Sequence, residues 1–387
     1  MPPTISSFAT HGVKYIGSKA ALLEEIHSFI STQLPPTATG TARTLIDVFT
    51  GTTRVAQSFR AAGWTVTSSD LSWASEAYAH AFLLRTPNTS ARIPALLTKL
   101  KATAAAHPAE APPGWIESNY CDVVTADGGV VKMWKPANGR AADVIRDTIA
   151  VWEAAGEISH HEAMILVACL LFAMDKVDSS VGVQQAYLKS WAARANNALT
   201  LEDLPYPNGA GVGAPGQHLV GDALKLVYPP ASVAYLDPPY SAHSYSTYYH
   251  IWDSITRWDK PAVGLKTNRR IDRVSGAAEF DPAMQSPWNS KGKALGAFME
   301  LVGRLPARYV CISYNDESLV PLETLEGALK EKYGGGAVTV KRIPYKRNIM
   351  CQIGNAEGKA AEGEAKTENH EVLIWVNKTV AAPQANS

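Results

Sequence analysis

Hydrophobic and polar positions along this chain follow two periods in alternation. Short apolar runs of strand length end on a polar or acidic residue: residues 44–49 run into Thr50-Gly51-Thr52, residues 64–69 close at Asp70, residues 218–220 precede Asp222, residues 233–236 end at Asp237, and residues 308–318 finish in a polar turn. Between them the apolar positions recur at helical spacing. Leu22, Leu23, Ile26, Phe29 and Ile30 share one face behind Ser18, a residue suited to cap a helix. Helices are predicted near 53–62, 74–84, 93–106, 141–155, 159–174 and 184–197, followed by an aromatic-rich helix over 241–258. Residues 334–343 and 370–376 read as two strands of a terminal hairpin. Strand, glycine turn, helix and strand over residues 44–70 form a βαβ unit, the half of a nucleotide-binding sheet.

The helical block from 72 to 214 interrupts that alternation, which resumes near residue 215. The expected architecture is an α/β Rossmann-like sheet from residues 1–71 and 215–380, with an inserted helical lobe at 72–214. Residues 353–370 are small, charged and patternless and predict a flexible loop, and residues 381–387 a disordered tail. The length of 387 residues fits two lobes. The chain is 46% hydrophobic and 19% charged, with no apolar run long enough to span a membrane and no signal-peptide core at its start. A cytoplasmic protein is expected. Four scattered cysteines lack metal or disulfide spacing and predict neither a zinc site nor a redox centre. With 36 basic and 36 acidic residues, any nucleic-acid surface must be local. The segment 260–273 is such a place: Lys260, Lys266, Arg269, Arg270 and Arg273 stand against Asp272 alone. A solvated loop has the same composition.

The candidate chemistry concentrates at Asp237-Pro238-Pro239-Tyr240. Two prolines have no N–H to continue a ladder, and the residue before a proline is held extended. A carboxylate, carbonyls and an aromatic ring are thereby fixed at a strand's carboxyl end, where open α/β sheets bind ligands. The set suits an exocyclic aromatic amine, whose two N–H bonds Asp237 and the Pro238 carbonyl can accept while Tyr240 stacks on the ring. A plain Pro-Pro turn would share the local signature. Lys19, beside a helix start with Gly17 nearby, suits an anionic or carboxylate-bearing ligand, or is a solvated surface charge. Asp70 is placed for ribose hydroxyls, although Asp47 and Asp70 serve equally as capping residues in an isolated βαβ unit. Arg140, Arg146, Lys176, Lys189 and Arg194 are within the helical block and either reach phosphates or are ordinary exposed charges. Tyr120 and Tyr187 are further candidates for base contacts.

KYIGSK, DVFTGT, SSD, GDA, DPPY and SYND occur in this order, and in that order they resemble the Dam-type adenine-specific DNA methyltransferases. The resemblance runs from about Lys14 to Val376 and is nearest to restriction–modification enzymes of the FokI kind. It implies S-adenosyl-L-methionine as cofactor, with Tyr15 and Lys19 in contact with it. Asp47, Thr50 and Gly51 would lie at its methionine end, Asp70 on the ribose, and Asp222 with Ala223 near its adenine. Asp237, Pro238, Pro239 and Tyr240 would hold the target adenine, flipped out of double-stranded DNA because the amine is unreachable in the stack. Lys266, Arg269 and Arg270 would meet the DNA backbone. The resemblance implies a bacterial or phage-encoded protein, compatible with a cognate endonuclease, and no metal. The turn departs from the family's commoner Gly-x-Gly form: it reads Thr50-Gly51-Thr52-Thr53. Two other classes stay open: the same chemistry on cytosine N4, RNA adenine or protein glutamine, and a non-catalytic DNA-binding module.

Overall fold

The computed structural model describes residues 9–36, 43–124, 128–184, 188, 190–239, 245–264, 268–282, 285–315, 318–345 and 369–379. In chain order the elements are α1 (Leu23–Gln33), β1 (Thr44–Asp47), α2 (Arg54–Ala61), β2 (Thr65–Asp70), α3 (Ala74–Phe82), α4 (Pro87–Ser90), α5 (Ile93–Ala106), α6 (Trp115–Tyr120), β3 (Cys121–Val124), β4 (Val130–Lys132), α7 (Pro136–Ala154), α8 (His160–Lys176), β5 (Gln217–Val220), β6 (Ala231–Leu236), α9 (Tyr245–Tyr248), α10 (His250–Arg257), α11 (Ala294–Arg304), β7 (Ala307–Asn315), α12 (Leu322–Tyr333), β8 (Val338–Tyr345) and β9 (Asn369–Asn377). Seven strands form a mostly parallel sheet in the order β5-β2-β1-β6-β7-β9-β8.

The chain divides into two compact units. The first takes the described residues of 1–24, 42–226 and 244–285. Here β1 pairs parallel with β2 from Thr44↔Thr65 to Asp47↔Ser68, and β2 pairs parallel with β5 from Thr67↔Gln217 to Asp70↔Val220. Three strand ends carrying carboxylates therefore lie along one edge. Helix α3 packs on β2 and β5 and against α8, while α10 packs on both helices. The helical block thus begins as a layer on the sheet. Helix α8 starts with a capping box: Ser159 accepts the Glu162 N–H, and Glu162 reaches back to the Ser159 N–H. Eight of its residues between Ile165 and Met174 are no more than 1% exposed, so this helix is central to the unit's core.

The second unit takes the described residues of 25–41, 227–243 and 286–387. Strand β6 pairs parallel with β7, and β9 inserts antiparallel between β7 and β8. Val372, Leu373, Ile374, Trp375 and Val376 are all buried, a continuous apolar run suited to a strand covered on both faces. The expected terminal hairpin is therefore β8–β9, with β9 carrying the pairing to the rest of the sheet.

Several boundaries differ from expectation. Among the described residues of 184–197 there is only a 3₁₀ turn at Ala193–Asn196, not a helix. Helix α7 begins at Pro136, five residues early, because proline is favoured in a first helical turn. The small antiparallel pair β3–β4 was not foreseen. A 3₁₀ turn, Lys19–Leu22, precedes α1, and Ser18 gives it no side-chain cap. The expected loop at 353–370 lies outside the described residues except for 369 and 370, which open β9, and the tail lies outside them altogether.

Candidate active site

In the first unit the site is built on the turn after β1. Gly51 has φ +50°, and its N–H donates to the Asp70 carboxylate at 2.8 Å. The Thr50 hydroxyl donates to Asp47 at 2.8 Å, and the Thr50 N–H to the Ser69 carbonyl at 3.0 Å. Asp47 is 1% exposed, so its carboxylate organises the turn from beneath. Thr53, in the position a second glycine would take in a Gly-x-Gly turn, has φ +63°. A β-branched residue in that region is strained. Its hydroxyl accepts from Gln57 at 2.9 Å, which helps to hold it there.

Residues 10–19 lie over this turn. Arg54 of α2 donates to the Thr10 and Gly12 carbonyls at 2.6 and 3.0 Å, and Gln57 bonds both the N–H and the carbonyl of His11. Lys14 is fixed by Asp178 at 2.8 Å and by the Asp175 carbonyl at 2.5 Å. The Ile16 N–H donates to the Tyr249 hydroxyl at 2.7 Å. Tyr15 stacks on Tyr249 with centroids 4.4 Å apart and meets Tyr245 at 5.5 Å. Its ring covers Gly51, where a Cβ would stand 3.3 Å from it. Gly17 has φ +82°, and a Cβ there would approach the Tyr245 hydroxyl to 3.1 Å. Lys19 is 5% exposed, with Nζ 3.2 Å from the Gly17 carbonyl, and is not a surface charge. Asp175 and Asp178 escaped the sequence reading, and Tyr249 was expected only as one of the aromatic residues of its helix. Their roles depend on contacts 161 to 233 residues away, which no local pattern signals.

Asp70 accepts from Gly51 and from the Ser72 N–H at 2.9 Å. Desolvation pushes its pKa up to about 6, against the pull of those N–H groups. Buried Asp253 at the start of α10 accepts from the Ser72 hydroxyl at 2.6 Å and the Ala74 N–H at 3.2 Å, anchoring the head of α3. Desolvation raises the Asp253 pKa as well. Asp222 begins the turn after β5, accepting the Leu224 N–H at 3.0 Å, and Ala223 beside it is buried. The first unit therefore brings Tyr15, Lys19, Asp47, Thr50, Gly51 and Asp70 to one edge, with Asp222 and Ala223 at the neighbouring strand end.

In the second unit β6 ends at Leu236, paired with Ile312. Asp237 and Pro239 follow half-buried and Pro238 buried. Tyr240 lies outside the described residues. Beside this strand end, β7 carries Ser313, whose hydroxyl donates to buried Glu371 of β9 at 2.8 Å.

The basic segment is more structured than its composition suggests. An antiparallel bridge Val263↔Arg270 and the Ile271 N–H to Ala262 carbonyl bond make it a small hairpin. Arg270 is 2% exposed and is gripped by Asp259 at 2.7 Å and Asp272 at 3.0 Å, so it faces inward and not toward a phosphate. Arg273 is also buried, and Lys260 pairs with Asp147 at 2.7 Å. Arg269 is half-buried, and Lys266 lies outside the described residues. The cations of the helical block are likewise engaged. Arg146 is buried and donates to the Ile255 and Thr256 carbonyls at the end of α10. Arg140 pairs with Glu117, Lys176 with Glu202, and Arg194 with Asp178. Tyr120 is packed inside among Trp115 and Trp134. Tyr187 and Lys189 lie outside the described residues.

The chain is similar along 97% of its length to the modification methylase StsI of Streptococcus sanguinis, at 28% identity. It is 25% identical over 95% of its length to the type II methyltransferase M.FokI of Planomicrobium okeanokoites. It spans about half of each of these relatives, 54% and 53%. With M.NlaIII of Neisseria lactamica it is 27% identical over 90% of this chain and 96% of that one. A family model for the D12 class N6 adenine-specific DNA methyltransferases matches residues 15–286. Because that match takes in well over half of the chain and both strand ends described above, the chain belongs to the D12 class of N6 adenine-specific DNA methyltransferases.

Proposed function

We propose that this chain is a site-specific DNA-methyltransferase that moves a methyl group from S-adenosyl-L-methionine to the N6 amine of an adenine flipped out of double-stranded DNA. The observation that carries the reading is the stiff Asp237-Pro238-Pro239 segment leaving the carboxyl end of a parallel strand. Within the family, that segment has the acceptors an exocyclic amine requires.

The donors and acceptors of the first unit fit the cofactor. The ionised Asp70 keeps acceptor capacity beyond its two N–H bonds and suits ribose hydroxyls. Lys19 suits a carboxylate, and Tyr15 offers a ring face beside the turn. Asp47, Thr50 and Gly51 would shape the methionine end, with Asp222 and Ala223 near the adenine. Bound there, S-adenosyl-L-methionine supplies an electrophilic methyl group on a sulfonium. The protein's part is to hold the amine. Asp237 and the Pro238 carbonyl accept its two N–H bonds, favouring a pyramidal nitrogen whose lone pair is free to react. Positive charge grows on that nitrogen, so fixed acceptors are worth most in the transition state. The prolines hold them without reorganisation, and Tyr240 would stack on the base. Lys266 and Arg269 would meet the backbone, with Arg270 bracing their hairpin from inside. Base recognition would belong mainly to the helical block, in a restriction–modification or phage-defence setting alongside a cognate endonuclease. Such a substrate would place the protein in the cytoplasm. No helix among the described residues is long and apolar enough to cross a membrane.

The test is modification-sensitive sequencing of DNA from cells expressing the chain. N6-methyladenine at one short motif is expected. N4-methylcytosine would overturn the target assignment. Unmodified DNA from a folded protein that binds no S-adenosyl-L-methionine by calorimetry would leave a DNA-binding module.

A further inference from the structure

The cysteine pattern gave no metal site, but the packing of α3 on α8 gathers donors that sequence spacing keeps apart. Glu76 and His80 stand four residues apart on α3 and so share a face. His160 and His161 open α8, directly after the capping box at Ser159. One donor atom from each of Glu76, His80 and His160 lies within 4.8 Å of the others. The His160 ring has both nitrogens committed to carboxylates, Nδ1 to Glu153 at 2.7 Å and Nε2 to Glu76 at 3.3 Å. With Nδ1–H held by Glu153, Nε2 is the nitrogen that would exchange its proton on Glu76 for an ion shared with that carboxylate. His80 is steadied in the same way: its Nδ1 meets His161 Nδ1 at 2.7 Å, while His161 Nε2 meets the Thr89 hydroxyl at 3.1 Å. Two imidazole nitrogens at that distance share one proton, so one of them is a bare lone pair.

We propose that Glu76, His80 and His160 bind a divalent transition-metal ion of the zinc type, oriented by Glu153 and His161, which fastens α3 to α8. Mixed imidazole and carboxylate donors select such an ion over magnesium or calcium, which prefer oxygen alone. Three protein ligands and a half-exposed His160 leave the fourth position to water. His160 itself is exposed, so the cluster is reachable from solvent without opening the fold. The ligands are remote from the turn at Gly51 in their bonding. The role is therefore structural: it holds the helix that leads directly out of Asp70 and Ser72.

The test uses the untagged full-length chain, stripped with chelator and titrated with Zn²⁺ by calorimetry and with Co²⁺ by visible absorption. One ion per chain is expected, with a tetrahedral Co²⁺ spectrum and a higher melting temperature in Zn²⁺. His80→Ala and His160→Ala should lose the spectrum and the thermal shift. Glu153→Gln should weaken binding about ten- to a hundredfold, the usual cost of losing an outer-shell partner. His160 is half-exposed, so its variant should melt like the metal-free parent. Absence of saturable binding, or equal binding by the parent and the two histidine variants, would overturn the proposal.

Discussion

Asp237 owes its position to its own backbone, since the two prolines behind it stay in place when its side chain is removed. Asp237→Ala should therefore keep the melting temperature while kcat falls on the order of a hundred- to a thousandfold, the cost of one preorganised partner. Near-normal turnover by the folded variant would remove Asp237 from the chemistry. Asp70 makes a prediction in pH. Its folded pKa of about 6 stands above the ordinary 3.8, so the fold favours the protonated form. Its contribution to stability is full below pH 3.8 and is lost as pH rises through 6. Cofactor affinity should run the other way, because the ribose needs the ionised acceptor, and should fall as pH drops through 6. Opposite slopes in thermal melts and calorimetry, both flattened in Asp70→Asn, are the signature; parallel slopes would refute it. Lys19→Ala should weaken cofactor binding by about 1.5–3 kcal/mol, roughly ten- to a hundredfold. The strand-end placement of Asp70 and Asp237 was legible because turns and prolines act through neighbours in sequence. The burial of Arg146 was not, since it depends on carbonyls 109 and 110 residues away, and for Arg270 the nearby Asp259 and Asp272 gave no sign that the pairing would be turned inward.

The turn from Thr50 to Thr53 shows what an element keeps when its sequence departs from the family's pattern. Thr53 keeps a left-handed backbone without being glycine. Thr53→Gly would release about 1–3 kcal/mol of strain and lose a hydrogen bond worth about 1. We expect a slightly raised melting temperature, whereas Thr53→Ala, which keeps the strain and loses the acceptor, should lower it. A Thr53→Gly variant that melts below the parent would show that the Gln57 bond outweighs the backbone strain. The paired segments at 262–264 and 268–271 hold Arg270 inside, with Arg269 half-buried. Replacing Lys266 and Arg269 together should weaken binding to all DNA sequences alike. It should also flatten the log–log salt dependence by up to about 0.9 for each phosphate that is no longer neutralised. Arg270→Gln should instead destabilise the fold by about 1.5–3 kcal/mol, because the buried guanidinium gives up its charged hydrogen bonds to the part-exposed Asp259 and Asp272. A double variant at 266 and 269 that loses site preference at an unchanged salt slope would reverse this assignment. The elements themselves were mostly legible from periodicity. The exceptions were β3–β4, a short pair without a repeating pattern, the helices α4, α6, α11 and α12, where none was predicted, and the region 184–197, where helical spacing gave only a 3₁₀ turn among the described residues.

At the scale of the whole molecule, the parallel sheet was legible because buried strands read as apolar runs closed by polar turns. The expected separation into sheet and lobe was less so: α3 packs on β2 and β5, and Asp175 and Asp178 hold the segment around Lys14. A recognition graft should therefore leave α3 and the end of α8 native. Exchanging the stretch between them for a relative's should carry site preference with it, read by the same sequencing. Preference that stays with the recipient would move recognition to the catalytic strands.

The bonds that pin residues 14 and 16 also impose an order on synthesis. The anchor of Lys14 is synthesised 161 residues after it, and the anchor of Ile16 233 residues after it. Closing such long loops carries an entropic cost that is recovered only when the distant partner arrives. The stretch over the Gly51 turn therefore has to wait, unfastened, until Tyr249 has been made. A nascent chain that ends before residue 249 has the sequence of β1, α2 and β2 but lacks the partner that secures the surface above their turn.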